Sequence, residues 1–274
     1  MSASAGFAPA AHSLRARLRT GEFLVGTFIK SPAHSVVEVL GGVGLDFVVL
    51  DAEHAPFDRA SLDTCVLAAK SATLPVLVRL PSSDAMHALG ALDSGADGVV
   101  VPHVLDADGA RRAVASCRYQ AGARGFSNSP RAAAFGQVPL SEHVRQSDLN
   151  CNVICQIEDA LAVEAIAEIA AVDEVDCLFI GRADLAVSYG CDRLDAPEVE
   201  TAVERIIQAG RRRGKALGMF VADLGQVRAY RRRGVSLFIV GSDQAALRAY
   251  FRTLADGFAA ADVQDDKFNQ EMYP

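Results

Sequence analysis

From residue 23 onward, short β-rich apolar runs alternate with longer amphipathic, Ala-rich runs of helical period. The apolar runs predict strands over Phe23–Ile29, Asp46–Leu50, Pro75–Leu80, Gly98–Pro102, Asn152–Ile157, Cys177–Ile180, Ala216–Val221 and Leu237–Val240. The periodic segments predict helices over Ser31–Leu40, Asp58–Ser71, Ser83–Asp93, Asp106–Cys117, Asp159–Ala170, Ala196–Arg213, Leu224–Arg233 and Asp243–Ala261. Several open on Ser or Asp, whose side-chain oxygens accept from the unpaired N–H groups of a first helical turn. Gly44–Asp46, Gly95–Asp97 and Val175–Asp176 read as short turns leading into strands. Such alternation buries a parallel sheet beneath helices, and eight units predict a closed (β/α)8 TIM barrel rather than an open sheet. The expected division is an N-terminal extension with a helix over residues 1–22, one barrel domain over 23–262 and a polar C-terminal tail over 263–274.

One connection breaks the pattern. Tyr119–Leu149 is long, with a short helical signal near Ser141–Ser147, and such loops in compact domains are commonly functional. Because it follows the fourth unit, it is expected near the catalytic face, there forming part of the substrate site with a neighbouring subunit. A surface excursion or a subunit contact is the alternative.

Composition supports an aliphatic barrel: of 274 residues, half are hydrophobic, 7% are aromatic and none is Trp. A net charge of -7 argues against nucleic acid or an anionic membrane as a general partner. The basic runs Arg211–Arg213 and Arg231–Arg233 close predicted helices, where cations complement the helix dipole. Cys65, Cys117, Cys151, Cys155, Cys177 and Cys191 are scattered without CxxC or paired Cys/His spacing, which excludes a zinc cluster and a secreted disulfide framework. No uncharged apolar run reaches membrane-spanning length and the N-terminus lacks a signal-peptide pattern, so a cytoplasmic location is expected.

Barrels carry their chemistry at the C-terminal ends of their strands, and four ends here are charged. They read Leu50-Asp51-Ala52-Glu53-His54-Ala55-Pro56, Val78-Arg79-Leu80-Pro81, Gln156-Ile157-Glu158 and Ile180-Gly181-Arg182-Ala183-Asp184. Buried carboxylates need a compensating charge, and Glu158 and Asp184 on adjacent strands can converge on one cation. Two carboxylates with water and a chelating substrate suit Mg2+, with Mn2+ or Co2+ as substitutes. Capping of the following helices is the other reading of the pair. His54 is the candidate proton acceptor, oriented by Asp51, or else a hydrogen-bonded structural residue. Arg79 offers a rigid donor fork for an oxyanion, or an ion pair with a neighbouring carboxylate. His103, just past the fourth strand, is placed to line the pocket.

In this order the four strand ends resemble those of the HpcH/HpaI aldolase/citrate lyase family, specifically its metal-dependent pyruvate aldolases. The resemblance spans about Gly26 to Ala255. It implies Glu158 and Asp184 as metal ligands, His54 as base and Arg79 as enolate stabiliser, with Gln156, Gly181 and the backbone at Ala183 holding the oxo acid. It further implies a hexamer of paired trimers, and a family aspartate aligned with Asp93 that can act only across a subunit interface. Arg182 stands where the family commonly has proline, which implies an altered substrate range.

The expected reaction is reversible cleavage of a 4-hydroxy-2-oxo acid to pyruvate and an aldehyde. One alternative is a Schiff-base aldolase, for which only Lys30 among the lysines considered falls at a strand end. Another is an acyl-CoA lyase of the malyl or citramalyl type, although no distinctive basic groove for a nucleotide is evident. A non-catalytic oxo-acid-binding barrel is the third.

Overall fold

The computed structural model describes residues 13–272, with side chains over 13–258, so the first twelve residues of the expected extension lie outside the described residues. Eight parallel strands close into a barrel in chain order. They are β1 (Leu24–Ile29), β2 (Phe47–Asp51), β3 (Val76–Arg79), β4 (Gly98–Val101), β5 (Asn152–Ile157), β6 (Cys177–Ile180), β7 (Ala216–Val221) and β8 (Leu237–Ser242). The sheet closes where Leu24, Val25 and Gly26 of β1 pair with Leu237, Phe238 and Ile239 of β8.

Both faces of this sheet are covered, which is why its strands read as nearly unbroken apolar runs. Period-two alternation sorts their side chains into two layers. Leu24, Phe28, Phe47, Val49, Leu77, Val100, Ile154, Phe179, Leu237 and Ile239 fill the interior. Val48, Leu50, Val76, Val78, Val99, Val153, Leu178 and Phe238 pack outward under the helices, and Cys155 lies with them as core.

A short helix, α1 (Leu14–Arg19), lends Leu14 and Leu18 to the interior cluster and so plugs the N-terminal end of the barrel. The surrounding helices are α2 (His34–Gly41), α3 (Arg59–Ser71), α4 (Ala85–Asp93) and α5 (Ala107–Cys117). They continue with α6 (Leu140–Asn150), α7 (Ala160–Glu164), α8 (Ile166–Ala170), α9 (Arg182–Ser188), α10 (Pro197–Arg212), α11 (Leu224–Arg233) and α12 (Asp243–Met272). Asp58 and Asp106 cap their helices by accepting N–H groups of the first turn, as expected of those starts. Asp84 and Asp223 do the same one residue from the expected starts Ser83 and Leu224, whereas Ala33 stands at the cap of α2 and Asp159 makes no side-chain cap. No helix among the described residues is long and apolar enough to cross a membrane.

Four features differ from the sequence expectations. The Asp159–Ala170 helix is broken at Ala165, and α9, only seven residues long, escaped the periodicity search. α12 runs unbroken to Met272, past the boundary expected at residue 262. The long connection lies at the end of the barrel opposite the catalytic face. It joins α5 to β5, and since barrel helices run antiparallel to the strands, such a segment must sit where strands begin. Its contacts agree: Arg124 donates to Asp93 at the C-terminal end of α4 (2.9 Å), and Arg15 of α1 donates to the carbonyls of Asp148 and Leu149 (2.9 and 3.1 Å). The expectation that this segment builds the catalytic mouth of its own barrel is therefore corrected.

Candidate active site

The alternation that fills the interior also decides what stands at its upper rim. One step beyond Phe47 and Val49 the inward position is Asp51; beyond Leu77 it is Arg79; beyond Ile154 it is Gln156, then Glu158. Asp51 is fully buried and binds the guanidinium of Arg79 through both oxygens, at 2.9 Å to Nε and 2.8 Å to Nη2. The Nζ of Lys30, at the end of β1, lies 3.0 Å from Asp51 Oδ2. Burial raises the Asp51 carboxyl, but its bonds to Arg79, the His54 N–H and Lys30 outweigh that and leave its pKa below the ordinary range. The Phe28 ring supports the arginine from below, 4.6 Å from ring centre to Cζ. Arg79 is thus held as a fixed cation, with Nε and Nη2 committed to Asp51.

Beside this pair lies a second group of acidic side chains, tied to it only where Glu53 Oε2 comes within 3.3 Å of Arg79 Nε. Donor atoms of Glu53, His103 and Glu158 all come within 4.8 Å of one another, the separation expected of ligands to one ion. The Glu158 side chain is 1% exposed and that of Glu53 is 8% exposed. Glu158 accepts the backbone N–H of His103 on Oε1 (2.9 Å) and the Gln156 amide on Oε2. Burial pushes the carboxyl pKa of both glutamates up, and the nearby Asp184 charge raises that of Glu158 further. Glu53 Oε2 and Gln156 Oε1 are buried without a hydrogen-bond partner in the chain. Buried polar atoms are rarely left so, and here oxygen donors and an imidazole surround a place that a divalent ion fits.

Gly181 lets β6 close on this group. A Cβ there would stand 2.7 Å from Glu158 Cβ and 2.9 Å from its Oε2, so any side chain would displace the carboxylate. Asp184 follows in the first turn of α9, half-buried, where a carboxylate also complements the helix N-terminus.

The remaining sequence candidates scatter. The His54 ring is 55% exposed, with Nε2 3.9 Å from Glu53 Oε2; Asp51 meets its backbone N–H (3.1 Å), not its ring. Arg182 turns away from the mouth toward α11, donating to Tyr230 Oη (3.0 Å), Gln226 Oε1 (2.6 Å) and the Phe220 carbonyl (3.5 Å). Asp93 pairs with Arg124 at the other end of the barrel. Sequence reasoning passed over Glu53, although it stands in the charged Asp51-Ala52-Glu53-His54 run and lies in the turn that follows β2. It also missed Asp159, whose Oδ2 lies 3.0 Å from His103 Nδ1.

Comparison with known proteins accords with this geometry. Residues 24–249 match the HpcH/HpaI aldolase/citrate lyase family. A hydroxypyruvate/pyruvate aldolase of Paraburkholderia phytofirmans is 34% identical over 226 residues, covering 79% of this chain and 86% of the relative. A 5-keto-4-deoxy-D-glucarate aldolase of Klebsiella pneumoniae is 34% identical over 221 residues, covering 80% and 86%. The crystal structure of a family protein from Burkholderia cenocepacia superposes with a TM-score of 0.85 at 34% identity, covering 90% of this chain and 98% of that one. With the barrel, the strand-end residues and a match across most of its length, the chain belongs to the HpcH/HpaI aldolase/citrate lyase family.

Proposed function

We propose that this protein is a divalent-metal-dependent aldolase that reversibly cleaves 4-hydroxy-2-oxo acids to pyruvate and an aldehyde. The observation that carries this reading is the pairing of two unlike groups at one rim: buried glutamates in need of a cation, and an arginine already fixed by Asp51. Glu158 with Asp184 would hold the ion, Mg2+ in the first instance, with Mn2+ or Co2+ as substitutes. When bound, that ion supplies Lewis-acid stabilisation of negative charge on the oxo acid.

The chain's own groups account for the rest. Arg79 presents its Nη1 donors to the oxygen that gains charge as the C3–C4 bond breaks, and Asp51 keeps the fork from turning away. His54, exposed at the rim, takes the C4 hydroxyl proton directly or through water. The Gln156 amide and the backbone at Gly181 to Ala183 hold the oxo-acid head. Protonation of the enolate at C3 completes pyruvate, and condensation is the reverse. The Schiff-base alternative is disfavoured because the Lys30 Nζ is engaged in an ion pair with Asp51 Oδ2 at 3.0 Å. Acyl-CoA lyase activity and a non-catalytic barrel are likewise not favoured beside aldolase relatives. A cytoplasmic homo-hexamer, with Asp93 facing a neighbouring subunit, completes the proposal.

The test is pyruvate release from a panel of 4-hydroxy-2-oxo acids, after chelation and after return of Mn2+. Metal-restored release on at least one member is expected; metal binding without release on any would leave an oxo-acid-binding barrel.

A further inference from the structure

The residue that fits least well as plain structure is His103. It directly follows Pro102 at the end of β4 and adopts φ = 51°, the left-handed region that non-glycine residues avoid. Strain of this kind persists where the surroundings fix the residue, and it gathers at functional sites. Here the unusual backbone has two consequences. It turns the His103 N–H onto Glu158 Oε1 (2.9 Å), and it lays the ring across the gap between the two buried glutamates. Nδ1 lies 3.0 Å from Asp159 Oδ2 and 3.5 Å from Glu158 Oε1, while Nε2 faces Glu53 Oε1 at 3.7 Å.

That orientation has a specific chemical meaning. A carboxylate that accepts the N–H of one ring nitrogen fixes the ring's orientation and aims the other nitrogen at the site, which is how metal-binding histidines are commonly held. Asp159 is the residue next to Glu158, so the strand that brings one carboxylate to the ion also brings the orienting group for the imidazole. Glu53 Oε2, buried, without a hydrogen bond and met only at 3.3 Å by an Arg79 Nε already bonded to Asp51, is the second sign that this spot takes a ligand.

We propose that His103 is a protein ligand of the divalent ion, giving this site one nitrogen donor through Nε2, which faces Glu53, within the Glu53–His103–Glu158 group. This rests on the proposed metal-dependent function but is separable from it. The inference adds a selectivity: an imidazole suits Mn2+, Co2+ or Zn2+ better than Mg2+, which prefers oxygen. Asp159 then serves as a positioning residue, acting through the ring.

Purified, metal-stripped full-length protein is loaded with Mn2+ and its electron spin echo modulation recorded. Modulation from a directly bound nitrogen is expected in the wild type and is expected to vanish in His103→Gln while Mn2+ remains bound. In parallel, Co2+ affinity should fall about 10- to 100-fold in His103→Gln, with Mg2+ affinity changed less than about 3-fold, and Asp159→Asn should show a smaller loss in the same direction. The ring is 58% exposed, so the variants should fold normally; equal Mg2+ binding would show that they do. Bound Mn2+ without a nitrogen signal, or equal losses of Co2+ and Mg2+, would overturn the role of His103 while leaving the metal site standing. No Mn2+ binding by the wild type would overturn both readings.

Discussion

The two ends of the barrel both bury acidic groups, and they treat them in opposite ways. At the N-terminal end, Asp176 is met by Arg15 (2.9 Å), Arg19 (2.8 Å) and Arg118 (3.7 Å). Glu174 there, although burial would raise its carboxyl, is held below the ordinary range by the same arginines. At the C-terminal end Asp51 is matched in this way by Arg79 and Lys30, while Glu53 meets only the edge of the same guanidinium, its Oε2 3.3 Å from Arg79 Nε. Burial pushes the carboxyl pKa of Glu53 and Glu158 up, and neither the Arg79 charge near Glu53 nor the Gln156 and His103 hydrogen bonds to Glu158 offset it. Charge completed from within is architecture; charge left incomplete points to something from outside.

The sharpest way to break this contrast is to remove the outside charge. Chelation, or Glu158→Gln, is expected to lower the rate of pyruvate release about 1000-fold or more, as loss of several kcal/mol of charge stabilisation requires. Glu158→Gln should leave metal-free stability unchanged or slightly higher, because it deletes a buried charge offset only by two hydrogen bonds. Thermal melts beside the activity assay check both; a marked loss of metal-free stability would mean that Glu158 is structural.

The mirror experiment lies at the other end. Arg15→Met should reduce stability by about 2–3 kcal/mol, less than the roughly 3–5 kcal/mol for breaking an isolated buried pair, since Arg19 still reaches Asp176. That corresponds to a Tm lower by roughly 5–10 °C, with activity per folded molecule unchanged. An activity loss at a temperature where the variant is fully folded would erase the distinction between the ends.

Acid should separate the carboxylates of the mouth from one another. Glu53 and Glu158, with raised folded pKa values, hold more protons folded than unfolded in the window between ordinary and raised values. Metal-free stability contributed by them therefore falls as pH rises through that window. Asp51 has the opposite sign: its lowered pKa gives stability that is present above the ordinary aspartate value and is lost as pH falls through the folded one. Because the ion competes with protons, Mn2+ affinity should decline by about tenfold per pH unit for each proton displaced, beginning above the ordinary glutamate range. Titration calorimetry from pH 7 downward measures it.

The sequence disclosed this rim because a barrel strand has period two. Once Ile154 and Gln156 are inward, Glu158 must be, and the same count places Asp51 and Arg79. What it could not disclose was direction beyond the strand ends. Glu53 and His103 lie in turns, where no period applies, and His103 reaches the glutamates only through a left-handed backbone. The long Tyr119–Leu149 connection was misplaced because its rank along the chain was considered without asking whether it follows a helix or a strand. Arg182 was set beside the substrate by its position in Gly181-Arg182-Ala183-Asp184, yet its long side chain is free to leave by the far side of the turn.

Arg182 therefore gives the smallest effect and a fine discrimination. Its guanidinium ties the start of α9 to Tyr230 and Gln226 of α11, and Tyr230 in turn donates to Glu200 of α10 (3.0 Å). As a tie, it steadies the turn that carries Asp184 without touching substrate. Arg182→Met should then cost about 1 kcal/mol of stability and shift KM by less than about 3-fold, equally for every aldehyde in a condensation panel. As a substrate contact, it would instead favour anionic aldehydes, and the variant would lose those selectively by more than tenfold. Its hydrogen bonds to α11 favour the uniform result, because a guanidinium held by two side chains on the outer side of the turn cannot also reach across the mouth.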